Sequence, residues 1–336
     1  CIDSDKGLSD NSVTYITQDS TGVIWIGTYK GLNQFDGHHI KTYNHVPNDS
    51  NSLTASHVSD IYVTSNNQVL VTTHEGLSIY NRELDHFDNY LLKTDSIGFH
   101  MQNYMNDINQ DEDGTIWIAS SGGLYQFDLE SKTFHDFFNY SIFSQLSPED
   151  VVEFRNTKVP GYIIEKLEAL NNKFFSNREE LSEKIKQLIG EIDHQAYSDI
   201  ILRLLIENND MFYSASVNEF IFDGDDIWLG LSNGHIVRVN KKNATYEVVY
   251  VNLKPEVETI IFSLFLEDSL LWVGSNSKSK LFDIKEKEIY VSPKPGINKI
   301  LAMRDVAFFN TPSKDLWVAT NKGLVKYNKL SDELQI

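Results

Sequence analysis

One pattern recurs along the chain at nearly constant spacing, and it constrains the fold more than any other feature. Each copy has a strand, a turn rich in Asp and Gly, a strand with Trp, a Gly turn, and a strand that ends near Asp or Asn. The Trp position steps by 45, 47, 111, 44 and 45 residues through Trp25, Leu70, Trp117, Trp228, Trp272 and Trp317. Four of these five steps agree within three residues, so the chain is built from one repeated unit.

The composition of each copy predicts four short strands. Apolar runs are brief and are bounded by Gly, Asn, Asp and Ser, and turn glycines such as Gly22 and Gly114 supply the positive φ of tight hairpins. Aromatic segments such as HIKTY, from His39 to Tyr43, provide a fourth strand. Four antiparallel strands in about 45 residues match a propeller blade. We therefore predict an all-β fold over 1–336, a single β-propeller domain of six recognisable four-stranded repeats with six or seven blades, in which the five Trp residues fill the layers between blades.

The long step between Trp117 and Trp228 marks an insertion. Residues 147–209 are rich in Leu, Ile, Glu and Lys and poor in turn residues, which predicts a helical insertion. Ser176 and Glu179 form a capping-box pattern, and Gly190 stands where a helix would end. The count allows six blades plus an insertion, or seven blades of which one is remodelled. Because open sheet edges invite aggregation, we expect the N-terminal residues to close the ring as a strand of the last blade.

The charge of the chain limits its partners. Lys and Arg number 29 and Asp and Glu 48, a formal net charge of −19, so we expect no nucleic acid to bind this portion. Cys1 is the single cysteine, which excludes an intrachain disulfide and leaves two interpretations: an edge-strand residue or a processed, lipid-modified terminus. No run of 18 apolar residues exists, so we expect contact with a membrane only through domains outside this sequence.

Motifs for catalysis, cofactors or metals are missing from the sequence. It has no phosphate-binding glycine loop, no cysteine pair and no HExxH, so we predict no cofactor, no metal site and no catalytic residues. His38 and His39 are neighbours, which would point to opposite faces of a strand, and we expect a solvated turn there. We interpret Asp19, Asp111 and Asp113 as structural residues of hairpin turns.

The segment DKGLSDNSVTYITQDSTGVIWIGTYKGLNQFDG, from Asp5 to Gly37, followed by PNDSNSLTASHV, resembles the two-component regulator propeller repeat. Such repeats form the periplasmic sensor regions of hybrid two-component systems in Bacteroidetes. The resemblance implies a periplasmic, ligand-sensing part of an inner-membrane receptor, one that detects an oligosaccharide and signals through neighbouring propeller and β-sandwich domains. Histidine kinase activity would lie elsewhere in that receptor, and homodimerisation stays open. Two alternatives remain: a carbohydrate-active propeller enzyme, lyase or hydrolase, and a protein-interaction scaffold that uses the insertion.

A binding site is predicted from blade geometry. The start of each innermost strand and the Gly turn after the Trp strand lie on one face around the axis, where aromatic rings and polar groups suit sugar recognition. We predict ligand-binding residues there: Asn11, Tyr29, Lys30, His57, His74, Glu75, Asn103, Tyr104, Arg304, Asn321 and Lys322. Lys30, Arg304 and Lys322 could together accept an acidic sugar.

Overall fold

The computed structural model describes residues 2–92, 103–138, 216–232, 234–250, 260–286, 288–303, 307–310, 315–320 and 323–335. All of them belong to one compact unit that comprises Cys1–Phe138, Ser216–Leu253 and Val257–Ile336. The predicted helical insertion, 147–209, lies outside the described residues, and so do Arg304, Asn321 and Lys322.

The first three repeats each form one sheet. Sheet 1 consists of β1 (Val13–Gln18), β2 (Ile24–Thr28), β3 (Gly31–Phe35) and β4 (Ile40–Tyr43). Sheet 2 consists of β5 (Val58–Val63), β6 (Val69–Thr73), β7 (Gly76–Asn81) and β8 (His86–Tyr90). Sheet 3 consists of β9 (Met105–Gln110), β10 (Ile116–Ser120), β11 (Gly123–Asp128) and β12 (Thr133–Phe138).

The last three repeats do the same. Sheet 4 consists of β13 (Val217–Asp223), β14 (Asp226–Leu231), β15 (Ile236–Asn240) and β16 (Tyr246–Tyr250). Sheet 5 consists of β17 (Ile261–Glu267), β18 (Leu270–Ser275), β19 (Lys280–Asp283) and β20 (Glu288–Ile289). Sheet 6 consists of β21 (Ala307–Asn310), β22 (Leu316–Thr320), β23 (Gly323–Asn328) and β24 (Glu333–Gln335). A short helix, α1 (Pro295–Leu301), precedes sheet 6 and contributes Ile300 to the core cluster of that sheet.

Within every sheet the strands pair antiparallel with their neighbours in chain order. The hairpin between the first two strands is fixed by an aspartate: Asp19 accepts hydrogen bonds from the Thr21 and Val23 amides, and Asp111 does the same in sheet 3. The second carboxylate oxygen of each aspartate accepts the indole N–H of the following Trp, at 3.0 Å for Trp25 and 2.8 Å for Trp117. This confirms the structural role predicted for Asp19 and Asp111.

The six sheets of the described residues form a six-bladed β-propeller, as the repeats predict. The first strand of each sheet contacts the first strand of the next, from β1 through β5, β9, β13 and β17 to β21, so these strands line the axis. Sheets 3 and 4 are direct neighbours: the Asn106 amide donates to the Val217 carbonyl at 2.8 Å, and the Phe220 amide donates to the Asp107 carboxylate at 2.9 Å. The alternative with a remodelled blade between them is therefore wrong.

Most of the repeated tryptophans fill the layers between sheets. Trp25, Trp117, Trp228 and Trp272 are buried, and Trp25 shares a cluster with Val58 and other residues of sheet 2. Burying such a large side chain contributes several kcal/mol, roughly 25 cal/mol per Å² of apolar surface. Trp317 departs from the prediction, because it is only half-buried.

The predicted closure of the ring by the N-terminus is wrong. Sheet 6 takes its fourth strand, β24, from its own repeat, and it pairs with β23 through contacts such as Asn328 with Glu333. The N-terminal segment instead forms a 3-10 turn over Ser4–Lys6. Asp332, a turn residue with positive φ, lets the chain reverse direction directly after β23. The outer edge of β23 is therefore paired with β24 and is not available to the N-terminal residues.

Candidate functional site

Two backbone positions that recur in sheets 1 to 5 build the candidate site: the residue before the first strand and the residue after the second strand. A hydrogen bond joins them, from the amide of the second to the carbonyl of the first. The pairs are Tyr29 with Ser12, His74 with His57, Ser121 with Tyr104, Ser232 with Ser216, and Asn276 with Ile260. These positions lie at the same ends of equivalent strands, so they share one face of the propeller.

Four aromatic rings at these positions form a continuous row across sheets 1, 2 and 3. We call Tyr29, His57, His74 and Tyr104 the aromatic row. Ring centroids are 4.4 Å apart for Tyr29 and His57, 3.4 Å for the two histidines, and 3.5 Å for His74 and Tyr104. Tyr29 is exposed at the outer end, while the two histidines and Tyr104 are half-buried.

The aromatic row is uncharged near neutral pH. Burial, and then the neighbouring His57, lower the pKa of His74 to about 3. Burial also lowers the pKa of His57 and raises that of Tyr104. The row therefore presents flat, neutral ring surfaces, the type of surface that covers apolar faces of planar or cyclic ligands.

Lys30 and Glu75 are the charged predicted residues beside the aromatic row, and Lys30 already forms an ion pair within the protein. The Lys30 ammonium lies 2.7 Å from the Asp10 carboxylate, a contact that lowers the pKa of Asp10 to about 2. Its side chain is nevertheless exposed, as is Glu75. A ligand carboxylate could reach Lys30 only in competition with Asp10.

Two predicted site residues hold the backbone. The Asn103 side-chain oxygen accepts the Leu92 amide at 2.6 Å, and the Asn11 side chain bonds the Ser4 amide at 2.8 Å. In this structure both side chains form hydrogen bonds to the backbone of loops. The acidic-sugar contact predicted for Lys30 with Arg304 and Lys322 stays a prediction, because the latter two lie outside the described residues.

Sequence reasoning missed a set of carboxyl groups on the inner strands. Asp60, Asp107 and Glu219 occupy the same position of β5, β9 and β13, where a bulge shifts the register. Asp60 accepts the Ile108 amide of sheet 3 at 3.1 Å, and Asp60 and Asp107 hydrogen-bond each other. We call these three residues the axial carboxyls.

The environment of the axial carboxyls favours their protonated forms. Burial raises the pKa of all three, and the charge of Asp107 adds to the effect on Asp60 and Glu219. Tyr15, at the equivalent position of β1, has a raised pKa because of the Asp60 charge and burial. A sequence signal existed: an acidic residue stands third in VSDIYV, MNDINQ and VNEFIF.

Among the described residues, no group of three or more His, Cys, Asp or Glu side chains is arranged so that it could hold a metal ion. His38 and His39 lie in the exposed turn between β3 and β4, as predicted. No helix among the described residues is long and apolar enough to span a bilayer.

Comparison with known proteins identifies a family repeat in the first sheet. The family described as two component regulator propeller matches residues 7–30, which hold β1, β2 and the first member of the aromatic row. The chain contains a two-component regulator propeller repeat. The resemblance drawn from residues 5–37 is confirmed.

Relatives are much longer than this chain. It is 52% identical over 48 residues to a protein named Histidine kinase P4 from Formosa agariphila, a match that covers 14% of this chain and 4% of that protein. The extracellular domain of a hybrid two-component system from B. thetaiotaomicron has a similar fold, with a TM-score of 0.63 at 15% identity, covering 100% of this chain and 36% of that one. A second such domain from the same organism gives 0.58 at 17% identity, covering 98% and 33%. This chain spans about a third of each solved domain.

Proposed function

We propose that this propeller is the ligand-sensing part of the extracytoplasmic region of a hybrid two-component sensor histidine kinase, and that it binds an oligosaccharide. The regulator propeller repeat and the histidine kinase relative support the sensor role. The propeller would lie in the periplasm, and neighbouring propeller and β-sandwich domains of the same receptor would transmit the signal. It would bind without turnover.

The aromatic row is the observation that carries this proposal. Four rings of three sheets lie tilted or stacked against one another on one face, and Tyr29, at one end of the row, is exposed although nothing in the fold requires a ring there. An exposed aromatic surface with polar groups at its margin is typical of a site that binds cyclic ligands.

The chemistry of the row favours sugars over charged ligands. Because His57 and His74 have lowered pKa values, they carry no charge to attract an anion at pH 7. They can still donate and accept hydrogen bonds through their ring nitrogens, as sugar hydroxyls need. The net charge of −19 adds a general repulsion for polyanions.

A glycan panel tests the proposal. The purified chain is incubated with neutral and acidic oligosaccharides, and both the melting temperature and the formation of products are measured. We expect a rise in melting temperature with one class of glycan and no product. Product formation would favour the carbohydrate-active enzyme, and an unchanged melting temperature with every glycan would contradict the ligand class.

Two variants locate the binding. His74→Ala removes the middle of the aromatic row, and Ser232→Ala changes the equivalent position of sheet 4. At the same glycan concentration, the glycan-induced rise should be smaller in the first and unchanged in the second.

A further inference from the structure

The aromatic row has hydrogen-bonding groups that the protein does not use. Among the described residues, the ring nitrogens of its histidines and the hydroxyls of its tyrosines form no hydrogen bond. A neutral imidazole offers one donor and one acceptor, and a phenol hydroxyl offers both as well. The row can therefore bond the hydroxyls of many sugars. Because it is uncharged near neutral pH, selection by charge depends on the groups beside it.

The loop before the first strand has the same arrangement in sheets 1 and 2. The Ser9 hydroxyl lies 2.7 Å from the Thr28 hydroxyl in sheet 1, and the Thr54 hydroxyl lies 2.8 Å from the Thr73 hydroxyl in sheet 2. In both sheets the first strand begins with a valine four residues after the loop serine or threonine. The two loops are therefore equivalent residue by residue.

The equivalent loops differ in one charged position. Lys30 and Glu75 occupy the same place in the turn after the second strand, and the amide of each donates to the threonine hydroxyl at the end of that strand, at 3.1 and 3.0 Å. In sheet 1 the loop supplies Asp10, whose carboxylate lies 2.7 Å from the Lys30 ammonium. In sheet 2 the equivalent of Asp10 is Ala55, which has no charge to offer Glu75. The ion pair of sheet 1 is thus replaced by a single carboxylate in sheet 2.

The Glu75 carboxylate is free to contact a ligand. Its side chain is exposed, and it forms no hydrogen bond or ion pair with any residue that the structure describes. It directly follows His74 of the aromatic row. The turn that carries it is tightly packed, because a Cβ atom added to Gly76 would lie 2.8 Å from the Tyr90 carbonyl oxygen. Glu75 therefore stands at the margin of the row on a fixed piece of backbone.

The charges around the row leave this margin negative. Asp10 and Lys30 neutralise each other, the rings carry no charge near neutral pH, and Glu75 adds one negative charge in a chain whose formal net charge is −19. A carboxylate is only an acceptor, so its complement is a donor, and a cationic donor gives the stronger hydrogen bond. A ligand carboxylate or sulfate at the same place would be repelled.

We propose that the Glu75 carboxylate binds a protonated amino group of the ligand, so that the candidate site takes amino sugars in preference to their neutral N-acetyl forms. This rests on the proposed function, because it assigns a class to the sugar that the aromatic row binds. The row covers the sugar ring, and Glu75 accepts the ammonium N–H beside it. Lys30 does not compete for Glu75, since Asp10 holds it.

A matched pair of sugars tests the selection. Chitosan tetrasaccharide has free amino groups, and chitin tetrasaccharide is the same chain of sugars in its N-acetylated, uncharged form. Calorimetry at low ionic strength measures the affinity of the 336-residue chain for each. We expect the amino form to bind about 2- to 5-fold more tightly, as for one exposed ion pair. The preference should shrink at about 1 M salt, which screens such a pair.

Three variants assign the preference to Glu75. Glu75→Gln keeps the size of the side chain and removes its charge, so the preference should disappear. Glu83→Gln is the matched control, because it removes an exposed carboxylate from the turn at the opposite end of β7, and it should keep the preference. Ala55→Lys places an ammonium at the position from which Asp10 reaches Lys30, so it should reduce the preference although Glu75 is still present. Melting temperatures without sugar check that all three fold.

The outcomes separate this proposal from the proposed function. Equal affinity of the wild-type chain for the two tetrasaccharides, a preference that survives Glu75→Gln, or one that Glu83→Gln also removes would overturn the role of Glu75. If another glycan of the panel raises the melting temperature and neither tetrasaccharide binds, the amino-sugar class is wrong and the sensor function stands. If no glycan binds at all, both are wrong.

Discussion

Sheets 1 to 3 and sheets 4 and 5 use the same backbone arrangement on the candidate binding face but carry different side chains there. In sheets 1 to 3, four of the six positions are Tyr or His. In sheets 4 and 5, the four positions are Ser216, Ser232, Ile260 and Asn276. The hydrogen bond between each pair is a backbone bond, so the fold does not require aromatic rings at these positions.

The serines at these positions of sheet 4 form hydrogen bonds within the protein. The Ser216 hydroxyl lies 3.1 Å from that of Ser121, and the Ser216 amide donates to the Ser232 hydroxyl at 3.0 Å. The aromatic row instead leaves a ring surface exposed at Tyr29. The comparison teaches that one scaffold supports a face of two kinds, and the aromatic half is the one that we propose for the ligand.

The largest expected effect concerns the scaffold that both halves share. Trp117→Ala in sheet 3 and Trp228→Ala in sheet 4 should each lower the free energy of unfolding by about 3–5 kcal/mol, because each removes a buried indole and leaves a cavity. Denaturant titration measures the loss. Trp317→Ala is the control, and its half-buried side chain should cost clearly less. Equal losses at all three positions would contradict the difference in burial between Trp317 and the other two tryptophans.

The next effect is a dependence of stability on pH. It arises where the two halves meet, because the axial carboxyls lie in sheets 2, 3 and 4. Their folded pKa values are raised by burial, so their contribution to stability is complete below the unfolded pKa values, near pH 4, and is lost as the pH rises through the raised values. Each group can change the free energy of unfolding by at most about 1.4 kcal/mol per pH unit. Tyr15, which faces these groups, stays neutral throughout because its pKa is raised.

Substitution of one axial carboxyl checks this dependence. Asp107→Asn should flatten the decline in stability between pH 4 and 8, measured by urea denaturation at each pH. Asp10→Asn is the control: its pKa is lowered to about 2 by Lys30, so it should leave the slope in that range unchanged. A wild-type stability that rises with pH across the range would contradict the assignment.

A smaller effect is expected for ligand affinity. His74→Ala should weaken binding of the glycan found in the panel by roughly 3- to 10-fold, since an aromatic contact is worth about 0.5–1.5 kcal/mol. Isothermal titration calorimetry measures the change, with Asn276→Ala in sheet 5 as the control. A loss of equal size at Asn276 would mean that the aromatic half has no special role.

The smallest expected effect is that of pH on ligand affinity, which should stay nearly constant. Burial lowers the pKa of both histidines and takes that of His74 to about 3, so His74 does not titrate between pH 5 and 8, where an ordinary histidine would. Affinity for a neutral glycan should change by less than about twofold over that range. A drop centred near pH 6.5 would show that one histidine of the row has an ordinary pKa and binds in its neutral form.

The fold was largely predictable from the sequence, because repeated local signals determine each sheet. The Trp position, the Asp turn and the Gly turn appear in nearly every copy, and they predicted the hairpins that the structure contains. The closure of the ring was predicted wrongly, because the short strand Glu333–Gln335 gives little strand signal in the sequence although it completes sheet 6. The helical insertion predicted over 147–209 stays a prediction, because it lies outside the described residues, whereas the direct contact between sheets 3 and 4 could not be predicted from the sequence.

The sequence predicted where the candidate site lies, but not which of its side chains contact each other. Equivalent strand ends share a face, so the members of the aromatic row could be named from the repeat alone. The stacking of His57 between Tyr29 and His74 depends on the angle between neighbouring sheets, which no local pattern encodes. Asn103 stays a predicted ligand contact, and its side-chain oxygen, which accepts a hydrogen bond from the Leu92 amide, also supports the backbone there.

An NMR titration of the ring protons of histidine and tyrosine with the glycan tests the site most directly. If the aromatic half binds the ligand, the signals of Tyr29, His57, His74 and Tyr104 shift together and saturate at the calorimetric stoichiometry, while His235 in sheet 4 stays unchanged. If a glycan raises the melting temperature but leaves those four signals in place, the ligand binds elsewhere, and the function assigned to this face is wrong.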